Sequence, residues 1–195
     1  MNILLMASGT GSNALNLLEY SKTLKDCQIK AIITDKKSSP LNSLDLAVPV
    51  YYIPKKKNMD VRTHEELILK KIGPLKIDAV FLCGYMKLLS SNFLNEFYST
   101  ELKKNAVFNI HPSLLPKYPG SHAYERAFEA ADTYSGVTVH FVDEGMDTGE
   151  IIFQERFERT NTDTLSTFIL KGKQIEWQIY PKLINWLKLK MKEEI

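Results

Sequence analysis

The sequence predicts an α/β protein: a mostly parallel, twisted sheet with helices on both faces and one antiparallel strand pair late in the chain. Three observations carry that expectation. Short, continuous apolar runs alternate with stretches of helical periodicity through the first half, the pattern of strands buried on both faces. A glycine-rich turn follows the first of these runs. Two late strand-like runs are separated by a loop too short to hold a crossover helix, so that pair is antiparallel.

The elements follow in order. Residues 3–7 are apolar, and Ser8-Gly9-Thr10-Gly11-Ser12-Asn13 comes next. Ala14, Leu15, Leu17 and Leu18 then repeat at helical spacing. Residues 28–34 form a second strand through Ile29, Ala31, Ile32 and Ile33, and residues 50–53 a short third one between prolines. A helix is expected over 62–71, with strands at 79–83 and 106–110. Residues 137–142 and 151–155 make the antiparallel pair. The tail from 164 to 190 reads as a long helix whose apolar face is Leu165, Phe168, Ile169, Ile175, Ile179, Leu183, Ile184 and Leu187. Pro181 is expected to interrupt or kink it, because proline lacks the N–H of the helical ladder. With no repeat and no linker-like stretch, residues 1–195 are expected to form a single domain, with a parallel half at 1–105 and the catalytic loop, late strands and long helix at 106–195.

Composition excludes several classes. At 195 residues and 22.3 kDa, mass scaling predicts that folding buries about 70% of the chain's surface, enough for a core without disulfides or metal. Lysine and arginine total 25 against 23 acids, a net charge of +2, too balanced to argue for nucleic acid or an anionic membrane. The run Lys55-Lys56-Lys57 reads as a solvated loop, the alternative being a guide for an anionic ligand. Cys27 and Cys83 form no CxxC and read as buried free thiols in a reducing compartment. The N-terminal run lacks a basic flank and is too short for a signal peptide, so the cytoplasm is the expected location. There is no HExxH, no Cys/His cluster and no Gly-x-Ser-x-Gly, so no metal or serine-hydrolase elbow is expected.

Three segments carry chemistry. Glycines at 9 and 11 let the chain turn sharply between strand and helix, and the free N–H groups of the helix start hold a phosphate there. Ser12 and Asn13 add donors or cap the helix. The same residues fit a Rossmann-like dinucleotide fingerprint, Gly9-x-Gly11-x-x-Ala14, with Asp35 as a ribose acid. The second segment, Asn109-Ile110-His111-Pro112-Ser113-Leu114-Leu115-Pro116-Lys117-Tyr118-Pro119-Gly120, starts at the C-terminal end of the fifth strand, where open sheets bind ligands. Asn109 and His111 share a strand face, pairing an amide donor for an oxyanion with a proton carrier. The third is the acidic loop Asp143-Glu144-Gly145-Met146-Asp147-Thr148-Gly149, one of whose carboxylates could reach and orient His111. Of the other histidines, His64 reads as a surface residue, His140 as a residue behind the site and His122 as a pocket liner.

These residues resemble a known family, the formyltetrahydrofolate-dependent formyltransferases. The resemblance runs over nearly the whole chain, through Gly9–Asn13, Gly84-Tyr85-Met86-Lys87-Leu88-Leu89, Asn109–Gly120 and Gly136–Gly149. The string Asn-x-His-Pro-Ser-Leu-Leu-Pro is specific for the superfamily, and Lys117-Tyr118-Pro119-Gly120 favours the branch that acts on glycinamide ribonucleotide. The resemblance implies formyl transfer from 10-formyltetrahydrofolate to the amine of that substrate, a step of purine synthesis, by a monomer or homodimer acting on small molecules. It implies Asn109, His111 and Asp147 as the catalytic trio. It gives Gly11, Ser12, Asn13, Lys173 and Glu176 to the ribonucleotide. To the folate it gives Arg62, Met86, Lys87, Leu88, Leu89, Asn109, Asp143 and Glu144. Lys87 stands where the family usually has arginine, and the stretch from Asp35 to Pro49 is short. The rival readings are formyl transfer to another amine or formyl-folate hydrolysis, and a non-catalytic dinucleotide-binding module.

Overall fold

The computed structural model describes residues 1–191. Its main sheet holds β1 (Asn2–Ala7), β2 (Gln28–Thr34), β3 (Val50–Tyr52), β4 (Ala79–Leu82), β7 (Val107–His111), β8 (Tyr134–Phe141) and β9 (Ile151–Glu158). A separate two-stranded ribbon pairs β5 (Tyr98–Ser99) with β6 (Lys104–Asn105). The helices are α1 (Ser12–Ser21), α2 (Val61–Ile72), α3 (Ser91–Asn95), α4 (Ala123–Glu129) and α5 (Leu165–Lys190). The strand order is β3-β2-β1-β4-β7-β8-β9. The first five strands are mutually parallel, and β8 and β9 are each antiparallel to their predecessor. The sequence supplied neither the short α3 nor α4, whose apolar residues are too few to show a period.

Strand alternation sorts the apolar runs to two faces. Ile3, Leu5, Phe81, Phe108 and Val139 pack with α1 and α5 on one side. Leu4, Met6, Val80, Leu82 and Val107 pack with α2 and α3 on the other. Tyr180 of α5 reaches through its layer to the sheet. Its ring stacks on Phe81 with centroids 5.2 Å apart, and its hydroxyl lies 2.8 Å from the Leu82 carbonyl and 3.2 Å from that of Phe108. It thereby bridges β4 and β7 just before Asn109.

Two expectations need correction. Of the interruption or kink expected at Pro181, the interruption does not occur, since α5 is continuous through it. The proline leaves the carbonyl four residues earlier without its helical donor, and the amide of Asn16 on α1 supplies one, 2.9 Å from the Trp177 oxygen. His64 is not on the surface: it is 2% exposed and its Nε2 lies 2.9 Å from the Ile53 carbonyl. It shares the inward helical row with Ile68 and Ile72, which are buried beside it. The connection from β2 to β3 carries only a single tight turn, Pro40–Ser43, in place of an α-helix, as its shortness implied.

The fold leaves one part of the sheet without a helix. Asn109, His111, Thr138 and His140 sit side by side through the pairs Asn109↔His140 and His111↔Thr138, on the face that Val107 shares with α3. Loops cover them. Polar side chains are tolerated there because the covering backbone provides partners.

Candidate active site

The parallel strands open their C-terminal ends along one edge, and the loops after β1, β4 and β7 are neighbours there because their strands are. The turn after β1 is stitched to the loop after β4. Ser8 N–H donates to the Gly84 carbonyl at 3.2 Å, and Met86 N–H donates to Ser8 Oγ at 3.0 Å. Gly11 is the N-cap of α1 with φ 76°. A side chain there would also strike Leu41, with Cβ only 2.6 Å from its Cδ1. Ser12 opens the helix and no side chain caps it, which corrects the capping role expected of Ser12 or Asn13. Gly11 already holds the cap position in a left-handed conformation.

Asn13 has a different partner. Its amide donates to Glu176 Oε2 at 2.6 Å, while the Tyr124 hydroxyl donates to Glu176 Oε1 at 2.7 Å. Glu176 is 8% exposed. The structure thus brings α1, α4 and α5 together on one carboxylate. Lys173 lies one helical turn before Glu176, half-buried, with no ion-pair partner among the described residues. Tyr124 carried no signal in the sequence, since its role depends on α4 docking against α5.

Lys87 turns toward β2, where its Nζ lies 3.6 Å from Asp35 Oδ2. Asp35 is therefore committed to an internal ion pair, and Leu41 is fully buried over Gly11. Both features oppose the dinucleotide reading, which needs that acid and that space for a ribose. Met86 and Leu88 are exposed and Leu89 is buried. Arg62 lies on an approximately 390 Å³ cleft between α2 and α3, which none of Asn109, His111 or Asp147 lines. Asp143 and Glu144 border another, of about 430 Å³, against α3 and the β5–β6 ribbon. The Asp143 carboxylate accepts from Gly145 N–H at 3.0 Å and the Thr148 hydroxyl at 2.7 Å, which shapes the loop carrying Asp147. His122 is exposed at the start of α4.

Asn109, His111 and Asp147 meet. Asp147 adopts φ 55°, a left-handed conformation that aspartate tolerates better than most residues. The loop folds back over the sheet and the carboxylate enters among donors. Oδ2 accepts from Gly120 N–H at 2.6 Å and lies 3.2 Å from His111 Nδ1. Oδ1 accepts from Asn109 Nδ2 at 3.2 Å and lies 3.6 Å from His140 Nε2. Burial works to raise the Asp147 carboxyl, but the neighbouring histidines and the Gly120 N–H hold it down at about 2. It is an anion at neutral pH.

His111 is 4% exposed. Its Nε2 lies 2.8 Å from the Tyr118 carbonyl, in the loop that begins beside it. Burial pushes the imidazole below the ordinary histidine value, while the Asp147 carboxylate and the Tyr118 carbonyl pull it back up. Both nitrogens face oxygen acceptors, so a second proton gains a hydrogen bond as burial opposes the charge. Such a ring can take a proton and return it. The loop itself is pinned by Thr138, whose hydroxyl donates to the Ser113 carbonyl at 2.6 Å and accepts from Leu115 N–H at 3.1 Å. Its Leu115–Pro116 bond is cis. The backbone groups at Tyr118 and Gly120 were invisible to sequence reasoning, because main-chain atoms leave no residue signature.

Among the described residues no cluster of three or more His, Cys, Asp or Glu is arranged to hold a metal, and no helix is long and apolar enough to cross a membrane.

An amide, an imidazole and a carboxylate gathered at a sheet edge suit acyl transfer, and known proteins narrow the choice. The chain is 33% identical over 184 residues to the phosphoribosylglycinamide formyltransferase of Bacillus subtilis, an alignment covering 93% of this chain and 91% of that one. It is 30% identical to the Haemophilus influenzae protein of the same name over 200 residues, covering 99% and 91%. The crystal structure of phosphoribosylglycinamide formyltransferase from Bacillus halodurans superposes with a TM-score of 0.84 at 34% identity, covering all of this chain and 97% of that one. A formyl transferase family model matches residues 1–184. With that match spanning nearly every element described above, the chain belongs to the formyl transferase family.

Proposed function

We propose that this enzyme transfers the formyl group of 10-formyltetrahydrofolate to the amine of glycinamide ribonucleotide. The observation that carries the reading is the meeting of Asn109, His111 and Asp147 at the sheet edge that also carries, with one strand between, a helix-opening glycine turn suited to the ribonucleotide's phosphate. Gly11, Ser12 and Asn13 take the phosphate, with Lys173 and Glu176 on its substrate. Met86, Lys87, Leu88, Leu89, Asp143 and Glu144 border the folate, and Arg62 lies at its far end. Two buried free cysteines suit a reducing compartment, and the cytoplasm is the location this reading assigns.

The chemistry follows from the donors. The neutral amine attacks the formyl carbon, a C–N bond forms and the carbonyl electron pair moves to oxygen. The Asn109 amide and the His111 Nε2–H stabilise that oxyanion. In the structure these donors rest on weaker acceptors, the His140 ring and the Tyr118 carbonyl. Asp147, ionised throughout, stabilises His111 when it is positively charged. The attacking nitrogen loses a proton and the departing folate nitrogen gains one, directly or through water. The old C–N bond then breaks, giving tetrahydrofolate and the formylated ribonucleotide.

An absorbance assay for tetrahydrofolate, run with and without glycinamide ribonucleotide, tests the reading. Product that depends on the ribonucleotide supports it; equal product without it means hydrolysis. His111→Ala and Asp147→Ala should each lose ~10²–10⁴ in turnover while titrations still show both substrates binding. Near-normal turnover in either variant refutes the assignment.

A further inference from the structure

We propose that His140 is a positioning residue that locks the orientation of the Asn109 side chain. The argument begins with the backbone. Asn109 and His140 are a direct cross-strand pair of β7 and β8, so the sheet ladder fixes their separation. His140 is 2% exposed. Its Nδ1 lies 2.7 Å from the carbonyl oxygen of Phe141. A carbonyl can only accept, so Nδ1 carries the hydrogen. In the neutral ring Nε2 is then a bare acceptor, and it lies 3.2 Å from Asn109 Nδ2.

The second amide hydrogen of Asn109 goes to Asp147 Oδ1 at 3.2 Å. Both N–H groups are therefore placed in the resting site, and the one on neutral His140 is the one that a developing oxyanion, a stronger acceptor, draws away. An inverted amide would set its oxygen against a carboxylate oxygen and against the imidazole lone pair, and both contacts are repulsive. Gly149 protects the arrangement. A Cβ there would lie 1.8 Å from the Phe141 oxygen and 3.4 Å from His140 Nδ1, so only glycine lets the returning strand seal this hydrogen bond from water. Nδ1 of His140 is engaged by main chain and Nε2 by Asn109, while Asp147 Oδ1, 3.6 Å from Nε2, is beyond hydrogen-bond reach. Its influence on the reaction therefore passes through Asn109.

The tautomer is independent of the assigned activity, whereas the kinetic consequence rests on the formyl-transfer reading. Long-range nitrogen–proton correlation NMR on protein labelled at histidine reads the tautomer directly. The expected result is a His140 ring protonated at Nδ1 and bare at Nε2. A ring with its hydrogen on Nε2 overturns the proposal, whatever the protein catalyses. In steady-state assays His140→Leu should lower kcat by about 10- to 100-fold, the scale of a misplaced catalytic group. KM for either substrate should stay within about threefold of wild type. His140→Gln retains a donor and an acceptor and should recover most of the lost kcat. Unchanged kcat in the leucine variant, or a glutamine variant no better than leucine, also overturns it. If the leucine variant fails to fold, the wild-type tautomer and the glutamine variant decide. Wild-type protein that transfers no formyl group refutes the functional reading and leaves the tautomer result standing.

Discussion

Replacing Asp147 by asparagine should flatten the acid limb of the protein's stability curve. The carboxylate receives the Gly120 N–H and the Asn109 amide and lies beside two imidazoles, with 12% of its side chain exposed. Its pKa falls from an ordinary 3.8 to about 2, nearly two units at roughly 1.4 kcal/mol each. The folded state therefore binds this proton less readily than the unfolded chain. The resulting stabilisation is fully present above 3.8 and is lost as pH falls toward 2, amounting to on the order of 2 kcal/mol. Urea unfolding at pH 6, 4, 3 and 2, followed by circular dichroism, measures it. Across that range the wild type should lose about 2 kcal/mol more than Asp147→Asn. The variant should start less stable at pH 6, because an amide cannot accept from every donor around it. Identical acid slopes in the two proteins would show that the carboxylate is not held by these donors, and the account of its ionisation would fail.

Other substitutions probe the frame around the site. Gly149→Ala and Gly136→Ala each force a Cβ against main chain, at 1.8 Å from the Phe141 oxygen and 2.3 Å from the Glu155 oxygen. Both should cost several kcal/mol or abolish soluble expression, as read by thermal melts and yield. Tyr180→Phe keeps the ring stacked on Phe81 but removes the hydroxyl shared by the Leu82 and Phe108 carbonyls. It should lose about 1–3 kcal/mol in chemical denaturation, and wild-type stability would contradict the bridging role. Glu176→Leu strands the Asn13 amide and the Tyr124 hydroxyl together. It should destabilise more than Glu176→Gln, which retains an acceptor, and equal melting temperatures would argue against the shared carboxylate.

What the sequence disclosed depended on whether a feature resides in side-chain pattern. The runs at β1, β2 and β4 are apolar on both faces because both faces are covered, so their burial is written in consecutive residues. Asn109 and His111 could be placed on one face by parity alone. By residue pattern Asp147 was one of three acids in a loop, singled out only by the family resemblance, since its entry among donors depends on a backbone fold-back with φ 55° that composition does not specify. His64 was misread because one polar residue in an amphipathic row looks solvated until a carbonyl from another element meets it. The break allowed for at Pro181 is averted for the same reason, as its repair comes from Asn16, far away in the chain. Lys87 was given to the folate by resemblance, and its ammonium also lies 3.6 Å from Asp35, a pairing set by the neighbouring strand end that no sequence pattern announces.

The bonds from α1 to α5 bear on how the enzyme matures. Asn13 and Asn16 sit 163 and 161 positions before their partners Glu176 and Trp177. The glycine turn thus emerges early in translation, whereas the helix that anchors it emerges near the end. Contacts of such separation form late, because the intervening loop must close first. A ribosome-bound chain halted before Glu176 would possess the turn without its anchor. Ligand capture at that end of the sheet should consequently appear only once synthesis is almost finished.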